Sequence, residues 1–297
     1  MISRMMELKA LSDDRDSSHE ARHFLTGLAR GFAGALIFGI PMLMTMELWH
    51  LGFYIERYRL LLLFLLNIPL LILLAQRIGF EATSTWREAA RDAMIAYGIA
   101  LVMSALVLLL LGIIKGAMSM DEVFGKIAIQ GVPASIGALL GRSQLGGQSS
   151  DDVGKEEKEE ESHSSVNMSY GRELFMMAVG ALFLSLNVAP TEEVILIAFK
   201  MTPLYALALL VLSIVLMHAF VYAVAFRGTH ELTPSTPGWH AFVRFTLPGY
   251  VVALLISLYV LWTFGRFDDT AFPQILMFAI VLGFPGSIGA AAARLIL

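Results

Sequence analysis

Two stretches of this chain end an apolar run in a carboxylate. One runs from Gly34 to Glu47 (GALIFGIPMLMTME) and the other from Gly180 to Glu193 (GALFLSLNVAPTEE). Gly-Ala-Leu opens both, and Thr-x-Glu closes both at the same distance. A carboxylate in such a run is costly in a bilayer. There it can select cations, or bind and release protons, along a water-filled route. Pro41 in the first copy, and Asn187 with Pro190 in the second, predict a kinked or broken helix. Two readings of Glu47 and Glu193 follow. In one, Thr45 or Thr191 caps a new helical segment and the Glu stabilises its exposed amide end. In the other, both carboxylates flank one ion path, with Thr45, Thr191 and Asn187 beside them. Glu192, whose equivalent is Met46, is expected to face water or a loop.

A second motif, Gly-x-Pro-x-Ser-Ile-Gly-Ala, also occurs twice, at Gly131 to Ala138 and at Gly283 to Ala290. Its small residues let helices approach closely. Pro133 and Pro285 also free backbone carbonyls, which together with Ser135 and Ser287 could line a pore or take an ion. His218, deep in an apolar run, is the candidate pH sensor, because an imidazole titrates near pH ~6.5. Asn67, beside Pro69, lies at about the same depth. His230, Glu231, Trp239 and His240 share one loop, a nonspecific metal cluster, and no metal is assigned. There is no His-Glu-x-x-His helix, no Gly-x-Ser-x-Gly elbow and no phosphate-binding glycine loop. The chain is therefore read as a non-enzyme without a cofactor. The absence of cysteine excludes disulfides and thiolate chemistry.

These residues need a scaffold, and the composition says which kind. Of 297 residues, 57% are hydrophobic and 15% charged, where a soluble domain carries about 25% charged. Apolar runs of about 20 residues predict membrane-spanning helices. Eight are expected, over 31–50, 60–74, 93–114, 123–140, 174–198, 204–226, 245–264 and 272–297. The repetition extends through them. Tyr97, Ala100, Leu101, Ser104 and Gly112 match Tyr250, Ala253, Leu254, Ser257 and Gly265 at one constant offset, and Arg142 matches Arg294. The second and sixth spans match poorly. The expected fold is thus all-α and polytopic, built as two parallel four-helix repeats, 31–142 and 171–297. An even number of spans per repeat gives both copies the same orientation, about an axis along the membrane normal. Residues 1–30 form an N-terminal tail, and 143–170 form an acidic linker.

The linker, from Ser143 to Ser169, carries seven acidic residues against Lys155 and Lys158, a net -5, so the rest of the chain sums to +1 within the overall -4. Its polar composition cannot bury a core, which predicts disorder. No basic face suggests nucleic acid. With the N-terminus inside, 15 Lys and Arg fall on inner segments and six on outer loops. That bias predicts that both termini and the linker are cytoplasmic, in a bacterial inner membrane.

At the two repeated motifs the chain resembles a bacterial family of integral membrane proteins of unknown function. The resemblance covers nearly the whole chain, and it implies neither an activity nor site residues. The residues themselves lead to one expectation, a protein that moves a small inorganic cation or a proton, as a channel or a proton-coupled transporter. Its partners are the bilayer and the ion, with homo-oligomerisation left open. The alternatives are a sensor or scaffold signalling through the acidic linker, and a membrane enzyme acting on a lipid or quinone.

Overall fold

The computed structural model describes residues 25–78, 85–145, 165–222 and 242–296. The linker expected to be disordered and the loop with His230, Glu231, Trp239 and His240 lie outside them, except at the linker's two ends. Among the described residues, eight helices are long and apolar enough to cross a membrane. In chain order the helices are α1 (Leu25–Leu43), α2 (Met46–Tyr54), α3 (Arg57–Ile78), α4 (Trp86–Leu110), α5 (Met120–Leu145), α6 (Ser165–Val188), α7 (Glu193–Lys200), α8 (Pro203–Tyr222), α9 (Leu247–Thr263) and α10 (Phe272–Ile296). One π-helical turn, Phe242–Thr246, leads into α9. The chain is an all-α, multi-pass membrane protein.

The first and fifth spans do not run on to His50 and Ala198. α1 ends at Leu43, and the short α2 begins after Thr45. α6 ends at Val188, and the short α7 begins at Glu193. In the second copy the physical reason is plain, because Pro190 has no amide to continue the ladder. In the first copy Pro41 sits inside α1 and the break comes after it, at Met44 and Thr45. Two helices also begin ahead of the expected spans. α1 starts at Leu25, ahead of Arg30, and α6 starts at Ser165, inside the segment assigned to the linker. A long cationic side chain can lie along a helix and reach outward without ending it.

The chain divides into two compact units. One comprises Met1–Leu43, Asn67–Ala117 and Gln130–Gly147; the other comprises Met44–Leu66, Met118–Ile129 and Gln148–Leu297.

In the first unit α1 meets α5 through glycines. A side chain on Gly34 would strike the Gly137 carbonyl and Gly141, and one on Gly131 would strike Leu101 of α4. Gly39 of α1 faces Met103 and Ala134. Buried Asn67 donates to Ser135 at 2.8 Å, and Ser135 donates to the Val132 carbonyl at 2.6 Å. Lipid tails are as apolar as the helices, so close packing and hydrogen bonds of this kind must hold the spans together.

In the second unit α6, α8, α9 and α10 enclose a core of Met177, Ala181, Met217, Tyr250, Ala253, Ala290 and Ala291. The contacts of the first unit recur there. Gly180 of α6 meets Gly289 of α10, and Gly283 meets Leu254 of α9. Ser287 donates to the Phe284 carbonyl at 2.8 Å, as Ser135 does to Val132. One contact recurs with its partners exchanged. Gly39 faces Ala134, whereas the matching pair is Ser185 facing Gly286.

The ends of α4 and α9 are alike as well. Gly112 and Gly265 have φ of 68° and 72°. The amides of Gly112 and Ile113 bond to Leu109 and Leu108, and those of Gly265 and Arg266 bond to Trp262 and Leu261. This is a Schellman closure, whose left-handed residue is cheapest as glycine.

Candidate functional site

In the second unit, a group of charged residues collects at the breaks after α1 and α6 and at the end of α9. Glu47 lies in the first turn of α2, half-buried. Thr45 occupies the N-cap position, but its hydroxyl does not cap the helix amides. Glu193 lies in the first turn of α7 and is exposed. The N-cap there is Glu192, not Thr191. Thr191 instead turns back, and its hydroxyl donates to the Val188 carbonyl at 2.7 Å, closing the end of α6. Asn187 likewise bonds along its own helix, to the Phe183 carbonyl at 3.4 Å. Both carboxylates therefore start short helices, where they complement the amide dipoles. The threonine hydroxyls do not act as the caps expected of them.

Arg266 follows the Schellman glycine of α9, and sequence reasoning gave it no role. It is half-buried and donates to the Pro190 carbonyl, at the break after α6. Burial draws its guanidinium below the ordinary arginine range, while the charges of Glu192 and then Glu47 act to raise it. The carboxylates acting on Arg266 are thus Glu47 and Glu192, so Glu192 belongs with this group although it is exposed to water. A signal was available, since Arg266 stands where the other copy has Ile113. A charge replacing an apolar residue at a repeated position marks a divergence that packing does not require.

Three further cations in this unit are held. Arg59, 7% exposed, grips Asp268 with two bonds of 3.0 and 2.8 Å. It also donates to the Trp262 carbonyl at 3.0 Å and to the Tyr58 hydroxyl at 2.9 Å. Its guanidinium lies 5.2 Å from the Trp262 ring centre, within cation–π range. Lys126, 3% exposed, pairs with Glu122 at 2.6 Å and lies 5.7 Å from the Trp49 ring. Arg57 pairs with Asp121 at 2.7 Å and donates to the Gly52 carbonyl at 3.1 Å.

The remaining predicted residues are satisfied within their own packing. Ser135 and Ser287 bond along their helices, with Ser135 also accepting from Asn67. His218 shares a 2.9 Å hydrogen bond with the Thr246 hydroxyl and meets the Phe242 ring edge-on. Among the described residues, no group of three or more His, Asp or Glu side chains is gathered as a metal ion would require.

Residues 27–297 match the family described as "Putative integral membrane protein (DUF2391)". No curated protein and no solved structure matches the chain.

Proposed function

Because the chain belongs to this bacterial family of integral membrane proteins of unknown function, we propose that it moves a small inorganic cation or a proton across the bilayer, with Glu47 as the working carboxylate and Arg266 as its internal counter-charge. The observation that carries this reading is the half-buried guanidinium of Arg266, fixed to a carbonyl at a helix break and within the fields of Glu192 and Glu47. Interrupted helices offer free backbone groups to ions, which continuous ones do not. A cation arriving at Glu47 competes with Arg266 for the same charge. Arg266 then retains Pro190 and Glu192, so the cation can leave without stranding a bare carboxylate. Glu193, exposed to water, serves capture rather than transfer.

In this reading the four-span halves are duplicates of one orientation, with the termini and the acidic linker cytoplasmic. The recurrence of the glycine contacts, the Ser-to-carbonyl bond and the Schellman closure in both copies supports duplication. The test is flux of K⁺, Na⁺, Ca²⁺, H⁺ and Cl⁻ in proteoliposomes, comparing wild type with Glu47→Gln and Arg266→Gln. Loss or altered selectivity of a cation flux in both variants supports the reading. No cation flux in wild type overturns it, as does unchanged flux in both variants.

A further inference from the structure

Two guanidinium groups meet over one aromatic ring in the second unit. Arg244, in the π-helical turn that leads into α9, lies 5.7 Å from the Phe245 ring centre, and Arg294, near the end of α10, lies 4.7 Å from it. Both charges therefore face one small region. Tyr170 of α6 completes the group. Its ring lies 5.5 Å from that of Phe245 and 5.6 Å from Arg244. A cation this close to a ring is attracted by the ring's quadrupole. Glu173, one turn along α6, pairs with Arg294 at 3.0 Å. Arg244 is exposed and pairs with no carboxylate among the described residues. Two arginines against one glutamate leave a single positive charge unmatched.

The apolar spans fix the depth of this group. Two of them begin at Tyr170 and Phe242, and a third ends at Arg294. These three edges meet here, so the group lies where hydrocarbon gives way to headgroups, the level at which aromatic and cationic side chains collect. Phosphates supply the negative charge of that layer in anionic membranes. Apolar surface adjoins it. Val243 and Leu247, on either side of Arg244, are 52% and 36% exposed, and Val251 and Leu255 continue down α9 at 52% and 59%. A soluble phosphate has no use for such a surface, whereas a phosphate carrying acyl chains does.

The local sequence favours an incoming anion. At the offset that pairs Tyr97 with Tyr250, Arg91 and Asp92 stand where Arg244 and Phe245 do. Arg91 Nε lies 3.8 Å from the Asp92 carboxylate. The later stretch keeps the arginine and has a ring in place of its acidic neighbour. That exchange removes a competing negative charge and adds a surface for the guanidinium to rest on. The π-helical turn that carries both residues is itself a rare form, found mostly at functional sites.

We propose that Arg244, supported by Arg294 and held against Tyr170 and Phe245, binds the phosphodiester of an anionic phospholipid whose acyl chains lie along Val243, Leu247, Val251 and Leu255. A guanidinium presents a planar fork that matches two phosphate oxygens. One already resting on two rings loses less freedom when it binds. This site does not depend on the transport reading, because a lipid can occupy it in a protein that carries nothing.

The test titrates the full chain, in neutral detergent, with phosphatidylglycerol or with phosphatidylcholine and counts bound lipid by native mass spectrometry. Phosphatidylglycerol should bind saturably and about tenfold more tightly than phosphatidylcholine. Arg244→Gln should abolish most of that preference, weakening phosphatidylglycerol about tenfold. Arg172→Gln removes another exposed arginine of α6, one outside this group, and should leave the preference unchanged. If Arg244→Gln fails to fold, Arg244→Lys decides by a smaller loss in the same direction, since it keeps the charge and gives up the fork. Equal binding of the two lipids overturns the site, as does wild-type preference in the folded Arg244 variant. An equal loss in Arg172→Gln also overturns it, because diffuse surface charge would then account for the preference. Displacement of the lipid by inorganic phosphate would give the site to a soluble anion and overturn the lipid assignment.

Discussion

At the scale of the residue, the two repeated glutamates are not equivalent. Glu47 is half-buried and acts on Arg266, while Glu193 is exposed. We expect Glu47→Gln to reduce or deselect cation flux and Glu193→Gln to have the smaller effect, measured in liposomes with equal protein content. If both merely complement helix ends, each change removes about 0.3–1 kcal/mol of charge–dipole energy, and flux is untouched in both. Thr45→Ala distinguishes the threonine roles. A capping hydroxyl is worth about 0.5–2 kcal/mol, but Thr45 makes no cap bond, so the melting temperature should fall less than a lost cap implies. The repeated Thr-x-Glu was visible from spacing alone. Arg266 was marked only by its replacement of Ile113, and its role depends on the chain bringing Pro190 against it.

At the scale of the element, the spans were legible because some 20 consecutive apolar residues have few alternatives. Their ends were not. Arg30 lies inside a helix and Arg57 begins one, and the spans expected to continue past Leu43 and Val188 break there. Apolarity reports burial in lipid, whereas the break depends on local backbone bonding. The exchanged pair, Gly39 with Ala134 and Ser185 with Gly286, allows a sharp check of packing. Gly39→Ser alone should destabilise by about 1–3 kcal/mol, the usual cost of overfilling a tight contact. Gly39→Ser with Ala134→Gly should recover most of that, because neighbouring sites are not additive. Thermal melts of the two singles and the double, in one detergent, give the coupling. Equal losses in Gly39→Ser and in the double variant would show that the contact is not a matched pair.

At the scale of the whole molecule, the Arg59 grip joins distant parts of the chain, with 209 residues separating it from Asp268. Arg59→Ala should cost about 3–5 kcal/mol if its half-exposed partner behaves as in a buried pair, and less as water reaches Asp268. A scan of melting temperature against salt reads the difference, since only the exposed share is screened. The recurring motifs were legible at this scale and the long-range pairings were not, because matching residues announce themselves in a sequence while Arg59 and Asp268 share no pattern. The exchanged pair bears also on how eight apolar helices find their neighbours as they leave the ribosome. If the two four-span halves are duplicates, as proposed, α1 would have a choice between α5 and α10. Joined wrongly, Gly39 would meet Gly286 across a gap, and Ser185 would meet Ala134 in a crowd. On that proposal, the exchange of one glycine would favour the pairing of each first helix with its own fourth.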